Sequence, residues 1–402
     1  MLKKIIVFIL IAFILAFPLF FWMDWDVKKG KAAYTKSHPF TVTPLYSGDV
    51  QLYTKGNEFY EALFHDIEQA QRYIYIHFFI ARNDEISKKL YNVLKQRAEK
   101  GVEVRLSVDL LGGHEITMDI LKDLRKHGVH FTYSRKTKLP HFFYSLHRRN
   151  HRRIAVIDGN ISYIGGFNIG DEHLGKSKWL GYWRDYQIRI TGNGAYEAQK
   201  RFLEDWKEDT GDTIAPKELT APSGKVQHQY IYASGTGLEE HLAEWIRNAK
   251  SSIIIASPYF VPPQPLKDAM IDAIQRGVKI KMLVTKKTDA WFTQPPGYSA
   301  LQALVEKGAD IYEYEKGFFH GKIMIFDNKM LDIGTVNWDP RSIFINDESN
   351  CLIYDTGTAA MVEKALQKDF ANAKKMTDSY FRHLPFWIRI LKHMPNRIVY
   401  YL

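Results

Sequence analysis

A chain of 402 residues with 46% hydrophobic content holds enough apolar material for two or three domains' worth of core. Its single cysteine, Cys351, excludes an intramolecular disulfide framework, so the fold must stand on packing, and Cys351 reads as a small buried apolar residue. The 55 basic residues against 45 acidic ones give a formal charge of +10, which calls for an anionic partner or surface and leaves nucleic acid and anionic lipid equally open.

Residues 5–23 carry no charge. At the helical rise of about 1.5 Å per residue such a run nearly crosses a hydrocarbon core of about 30 Å. A secretory signal would have a shorter apolar region followed by small residues at a cleavage site. Here "FFWMDWD" follows, with Trp22 and Trp25 placed like interfacial anchors, and an uncleaved transmembrane helix is expected. Lys3 and Lys4 precede the run and Lys28, Lys29, Lys31 and Lys36 follow it, a bias toward a cytoplasmic body. Residues 24–48, which include "KSHPFTVTPLYSG", are expected to be a linker.

Helical and strand patterns then alternate. "NEFYEALFHDIEQAQ" runs into "YIYIHFFI", and "ISKKLYNVLKQRAEKGVEVRLSVD" and "LRKHGVHFTYS" repeat the logic of helix, glycine stop and strand. Further on, "LEEHLAEWIRNAK" leads into "SIIIASPYF", followed by "LKDAMIDAIQRGVKIKMLVT" and "LVEKGADIYEYE". Such alternation predicts an α/β sheet with helices on its faces. The stretch "DTGDTIAPKELTAPSGK" (residues 209–225) is the natural boundary, giving halves of 49–212 and 213–380. The last segment, 381–402, is basic and aromatic but too short to span a bilayer; it suits the membrane interface or a packed terminal helix equally.

Two stretches match each other closely. "NHRRIAVIDGN" (residues 150–160) sets His151, Arg153 and Asp158 at spacing H-x-R-x4-D, and "HGKIMIFDNKM" (residues 320–330) sets His320, Lys322 and Asp327 at H-x-K-x4-D. Every counterpart lies 169 positions on, and at that offset "GGFN", ending at Asn168, maps onto "GTVN", ending at Asn337. Side chains at i and i+2 of a strand share a face, so His151 points with Arg153 and His320 with Lys322. The apolar residues 154–157 and 323–326 suit a strand buried on both faces.

A lone histidine at a strand edge is commonly structural. Two copies at a constant offset change that reading, because two similar halves can pair about a pseudo-two-fold axis and bring both strand edges to one cleft. The cleft would hold two histidines, two fixed cations and two asparagines, all neutral or positive, which suits a phosphate and the charge its transition state develops. One histidine, neutral, can attack phosphorus while the other, protonated, gives its proton to the leaving oxygen; both states are in reach near a pKa of about 6.5. Metal hydrolysis is disfavoured, since there is no H-E-x-x-H, no paired cysteine and no aspartate cluster for two ions, while Arg153 and Lys322 already fill a metal's role. A G-x-x-x-x-G-K-[ST] loop for a nucleotide is also missing, and neither metal nor cofactor is expected. Each histidine needs an acid to fix its tautomer. The candidates are Asp185 in "GYWRDYQIRI" and Glu348 in "INDESNCLIYD", each ahead of an apolar strand; a surface carboxylate at a strand start is the plainer alternative.

These residues resemble the phospholipase D superfamily, whose H-x-K-x4-D motif occurs once in each half, and most closely the bacterial cardiolipin synthases. "NHRRIAVIDGNISYIGGFNIGDEHLG" and "HGKIMIFDNKMLDIGTVNWDPRSIFINDESN" are similar to their two signature blocks, and the likeness covers nearly everything after the apolar N-terminus. It implies two pseudo-symmetric phospholipase D-like α/β halves, each a mixed sheet flanked by helices, with the active site at their interface. It also implies a phosphatidyltransferase of the bacterial cell membrane that joins two phosphatidylglycerols into cardiolipin and glycerol through a phosphohistidine. On this resemblance His151 is the nucleophile, His320 the general acid, and Arg153, Lys322, Asn168 and Asn337 hold the phosphate. Asp158 and Asp327 look more structural than chemical, and Asp185 and Glu348 support the histidines, each from the opposite half.

The first motif departs from the family in having Arg153 where lysine is usual; arginine keeps the charge but brings a bulkier, forked donor. The expected partners are anionic phospholipids and the bilayer, with no nucleic acid. "LPHFFYSLHRR" (residues 139–149) suits either a loop dipping Phe142, Phe143 and Tyr144 among headgroups or one packed on the second half, and "WFTQPPGYSALQAL" is its counterpart. Three other functions stay open: a membrane-anchored phospholipase D using water, a nuclease gripping a phosphate backbone, and a lipid-binding relative without catalysis.

Overall fold

The computed structural model describes residues 16–217 and 224–402 in full, and residues 2–15 as backbone within a helix. In the first half the helices Gly56–Gln69, Glu85–Glu99 and Met118–Lys126 alternate with the parallel strands Tyr73–Phe78, Glu103–Asp109 and His130–Ser134. The second and third helices start where Asp84 and Thr117 side chains accept from the N–H groups of Ser87 and Ile120. They stop at Gly101 and Gly128, both at φ 85°, a left-handed conformation that glycine adopts without strain.

The chain then reverses. The strand Ile154–Ile157 pairs antiparallel with Tyr73–Phe78, and Ile161–Gly165, Gln187–Gly192 and Tyr46–Tyr53 follow outward in antiparallel order. The second half repeats this order: Asp310–Tyr314, Lys279–Thr285, Ser252–Ala256, Ile323–Phe326, Met330–Gly334, Asp347–Ile353 and Val226–Ser234. Tyr46–Tyr53 and Val226–Ser234 pair antiparallel, Gly48 opposite Val226 and Tyr46 opposite His228, fusing the halves into one 16-stranded mixed sheet.

Pleating explains why the two motif strands are apolar throughout. Ala155 and Ile157 face the first half's outer core of helices, while Ile154 and Val156 face a core shared between the halves. In the second half Met324 and Phe326 face outward, and Ile323 and Ile325 join the shared core. Cys351 also lies in that core, fully buried.

Three expectations change. Residues 24–48 are not a linker: the helix Leu2–Thr35 runs through their first part, Thr41–Val42 pairs with Val226–Ser234, and Tyr46–Tyr53 is a strand of the central sheet. Proline and small polar residues there mark the breaks between elements, while the strand Val226–Ser234 captures the backbone between them. Residues 139–149 are not a loop: they form the short helix Phe142–His147, which packs on the first helix, while His147, Arg148 and Arg149 bond across to the second half. Asp26 of the first helix accepts from the N–H groups of Phe143 (2.7 Å) and Tyr144 (3.2 Å). In 381–402 the packed reading is met in part, for Phe381, Leu384 and Val399 are buried, whereas Phe386, Trp387, Ile390 and Ile398 are exposed. Of the expected transmembrane run, residues 5–15 lie outside the described side chains, and among the described residues no helix is long and apolar enough to cross a membrane. Residues 218–223 of the expected boundary also lie outside the described residues.

Candidate active site

Each motif is stitched to the opposite half before its strand begins. The His151 N–H donates to the Asp347 carbonyl (2.9 Å), and the Asp347 N–H to the Arg149 carbonyl (2.9 Å). In the second half Gly317–Phe319 pairs in parallel with Tyr182–Arg184, and the His320 N–H donates to the Arg184 carbonyl at 2.7 Å. These crossings bring His151, Arg153, Asn168 and His320 to one cleft of about 160 Å3, walled by Phe79, Trp183 and Tyr259.

The supporting carboxylates cross as well. His151 Nδ1 lies 2.9 Å from both oxygens of Glu348, and His320 Nδ1 lies 2.6 Å from Asp185 Oδ2. A carboxylate facing Nδ1 keeps the proton there and presents Nε2 to the cleft. Each carboxylate is itself fixed. The Thr335 hydroxyl donates to Glu348 Oε2 (2.5 Å), and the Tyr186 N–H (2.8 Å) and Trp183 Nε1–H (3.3 Å) donate to Asp185.

The difference between "GGFN" and "GTVN" follows from this geometry. Thr335 supplies a hydroxyl to Glu348, whereas a Cβ at its counterpart Gly166 would sit 1.9 Å from Asp185 Oδ1. Gly166→Ala is therefore expected to displace Asp185 and lower turnover by about tenfold or more, as about 1 Å of misplacement can. A circular-dichroism melt should move far less than the rate; equal losses in both would contradict this.

Arg153 bonds to Asn168 Oδ1 through Nε (3.0 Å), to the His151 carbonyl through Nη1 (3.1 Å) and to His151 Nε2 through Nη2 (3.1 Å). Lys322 Nζ donates to the His320 carbonyl at 2.5 Å. Burial lowers the Arg153 guanidinium to about 10 and the Lys322 amine to about 7. Burial, then these cations, push both histidines well below their usual value. Burial also raises Asp185, and Glu348 to about 7. A phosphate entering the cleft would relieve the shifts of the two cations and two histidines, while favouring the protonated forms of Asp185 and Glu348 still further. Lys322 and Asn337 are buried beside this cleft and do not line it, and Asn337 Oδ1 has no hydrogen-bond partner.

Asp158 and Asp327 are not brought to the cleft. Each sits at the far end of its motif strand, at φ 50° and 53°. Asp158 accepts from the N–H groups of Gln71 (2.7 Å), Arg72 (2.8 Å) and Tyr73 (3.0 Å), and Asp327 from those of Lys250 (2.9 Å), Ser251 (2.7 Å) and Ser252 (3.0 Å). Partial burial works against the Asp327 charge, yet those backbone donors hold its carboxyl down at about 2. A folded-state value below the unfolded one, about 3.9, contributes stability above that pH and loses it as pH falls toward 2. Asp327→Ala is expected to cost about 1 kcal/mol in urea unfolding at neutral pH, a difference that narrows in acid, with turnover nearly unchanged. A large loss of turnover without loss of stability would assign it to chemistry instead.

Sequence reading missed two groups. Arg152 turns away from the cleft and grips Asp205 (2.8 and 2.9 Å) and the carbonyls of Glu348 (3.2 Å) and Ala233 (2.9 Å), within a buried ionic seam between the halves. In the cleft, Arg82 pairs with Glu172 (3.2 Å), and the Tyr259 hydroxyl donates to Asp289. Arg82, Tyr259 and Asp289 lie just beyond the C-terminal ends of the parallel strands Tyr73–Phe78, Ser252–Ala256 and Lys279–Thr285, the side where open sheets place ligands, and that position was a usable signal.

Known proteins resemble this chain over most of its length. A family model described as "Cardiolipin synthase, PLD-like domain" matches residues 63–206 and 242–370. The minor cardiolipin synthase ClsB of Bacillus subtilis is 33% identical over 99% of this chain and 100% of its own length. Cardiolipin synthase 2 of Staphylococcus epidermidis is 36% identical over 89% of this chain and 76% of its own. Among solved structures, phosphatidylserine synthase of Haemophilus influenzae superposes with a TM-score of 0.73 at 15% identity, covering 93% of this chain and 100% of that one, a likeness of fold. With matching segments that take in both repeated motifs, the chain belongs to the phospholipase D-like family of cardiolipin synthases.

Proposed function

We propose that the protein is a phosphatidyltransferase that makes cardiolipin and glycerol from two phosphatidylglycerols. The observation that carries this reading is the pair of histidines in one cleft, each fixed at Nδ1 by a carboxylate of the other half. His151 Nε2 attacks phosphorus of the first lipid, the bond from phosphorus to the glycerol oxygen breaks, and His320 gives that oxygen its proton. His320 then takes the proton from a hydroxyl of the second lipid's glycerol headgroup, whose oxygen attacks the phosphohistidine and restores His151. Arg153 and Asn168, which line the cleft, hold the phosphoryl oxygens, and Lys322 and Asn337 reach them only if the wall of the cleft shifts as the lipid enters. A guanidinium already donating to His151 Nε2 disfavours a proton there, which supports His151 as the attacking base and His320 as the acid. Entry of the phosphate gives that guanidinium a better acceptor and frees the lone pair.

We read residues 5–23 as a single-pass anchor in the bacterial membrane with the catalytic halves on its cytoplasmic side; the uncharged run and the exposed Trp22 and Trp25 support this. The test uses full-length protein in phosphatidylglycerol vesicles with chelator present, following cardiolipin and glycerol by mass spectrometry. Equal amounts of both products are expected. Phosphatidic acid in place of cardiolipin would mean that water is the acceptor, and bound lipid without turnover would overturn the catalytic reading.

A further inference from the structure

Away from the cleft, three segments distant in sequence assemble one exposed apolar surface. Phe17, Trp22 and Trp25 supply it from the first helix, Leu139 and Phe142 from the turn into Phe142–His147, and Phe386, Trp387, Ile390 and Ile398 from the C-terminal segment, each between 44% and 79% exposed. The segments are clipped together. Tyr401 donates through its hydroxyl to Asp24 (2.8 Å), the Phe20 and Tyr401 rings lie 6.2 Å apart, and the Trp22 and Phe143 rings 5.0 Å apart. So large an apolar face on a folded protein marks an interaction surface.

Charge identifies the partner. Residues 381–402 contain no acidic side chain and carry Arg382, Arg389, Lys392 and Arg397. Arg397 lies over the Phe21 ring (5.8 Å) and Arg389 over the Phe386 ring (5.9 Å), so the cations border the apolar face. Beside it, a recess of about 440 Å3 between the C-terminal segment and the second half is lined by Lys267, Lys392 and His393 among prolines, with no acidic residue in its wall. Apolar rings edged by cations, of which Arg397 faces Asp24, match the acyl boundary and anionic headgroups of a bilayer. A second copy of the chain fits poorly, because a two-fold contact would set these cations against their own counterparts.

We propose that this surface extends the membrane contact beyond the N-terminal span that supplies Phe17 and Trp22, with residues 386–398 lying in the headgroup layer of an anionic bilayer and the adjoining recess receiving a lipid phosphate. The contact is mechanically joined to the cleft. Arg341 donates to the carbonyls of Tyr401 (3.2 Å) and His147 (2.8 Å) and is one of the cations depressing His151. Docking therefore sets the height of the cleft above the lipid surface. This inference does not depend on which reaction the cleft performs.

Cys351 is the only cysteine and is buried, so one introduced thiol can be labelled alone. Full-length Ile390→Cys, Met361→Cys and Phe17→Cys proteins, each carrying an environment-sensitive fluorophore, would be placed in nanodiscs with nitroxide-bearing lipids, with or without phosphatidylglycerol. Met361 is exposed on the helix Thr356–Phe370, outside the surface, and serves as the control. Quenching at position 390 is expected to be several-fold stronger with phosphatidylglycerol than in neutral discs, and absent at position 361. Adding Arg389→Glu, Lys392→Glu and Arg397→Glu should remove the difference without moving the melting temperature. Quenching at position 17 with none at 390 would overturn the proposal, as would a label at 390 that becomes shielded with rising protein concentration in detergent.

Discussion

His151→Ala and His320→Ala are each expected to abolish both glycerol release and cardiolipin formation, by about 10^4-fold or more, because they act as one unit. For the same reason the double variant should be little worse than either single one. Glu348→Gln and Asp185→Asn test the crossed support. Each keeps the side chain's shape but loses the charge that holds Nδ1–H, and a loss of about 10^2-fold or more is expected. The pH profile adds a sign. In the empty cleft His320 is depressed by burial and by Lys322, and Lys322 itself loses charge near 7. The value of kcat/KM, which reports the free enzyme, should therefore rise as pH falls toward about 7, below which protonation of Glu348 removes the charge behind His151 and opposes the gain. The kcat of the lipid-bound form, where phosphate offsets the cations, should hold to higher pH. Mass-spectrometric product counts across pH check both, and a single histidine variant retaining normal glycerol release would remove the two-histidine mechanism.

The largest loss of stability is expected from Asp347→Asn. Asp347 is fully buried, and its Oδ2 accepts from Arg135 (2.5 Å) and Arg148 (2.8 Å), with Arg152 3.8 Å from Oδ1. Burial opposes its charge, yet these three guanidiniums hold its carboxyl well below the usual range. The amide leaves them sharing Asp205, Glu208 and Asp209, and breaking a buried ionic group from one side costs about 3–5 kcal/mol. Urea unfolding of the wild type and variant would measure it. The depressed value also has a direction: this stability is present above the ordinary carboxylate range and is lost as pH falls. An unchanged midpoint would mean that the seam does not lock the halves.

Much of this was legible in the sequence because repetition filters noise. Two copies of His, cation and Asp at one offset announced the cleft, and the solid apolar runs 154–157 and 323–326 announced strands with a core on each face. Asp185 and Glu348 could be named because each stands ahead of an apolar run in the sequence, although Glu348 already lies within the strand Asp347–Ile353. The ionic seam was not legible. Arg152 has the same composition signal as Arg153, and only strand pleat separates the one that meets Asp205 from the one that meets His151. The misread linker shows the converse. Proline and polar residues at 36–48 describe local breaks, but a long-range partner, Val226–Ser234, decides whether the backbone joins a sheet.

The crossed carboxylates also impose an order in time. Glu348 lies 197 positions after His151, so during synthesis the first half leaves the ribosome with a histidine whose tautomer nothing yet holds. His320, made later, finds Asp185 already waiting. The cleft therefore cannot be assembled from the first half alone: the support of His151 is complete only once the strand Asp347–Ile353 has joined the sheet.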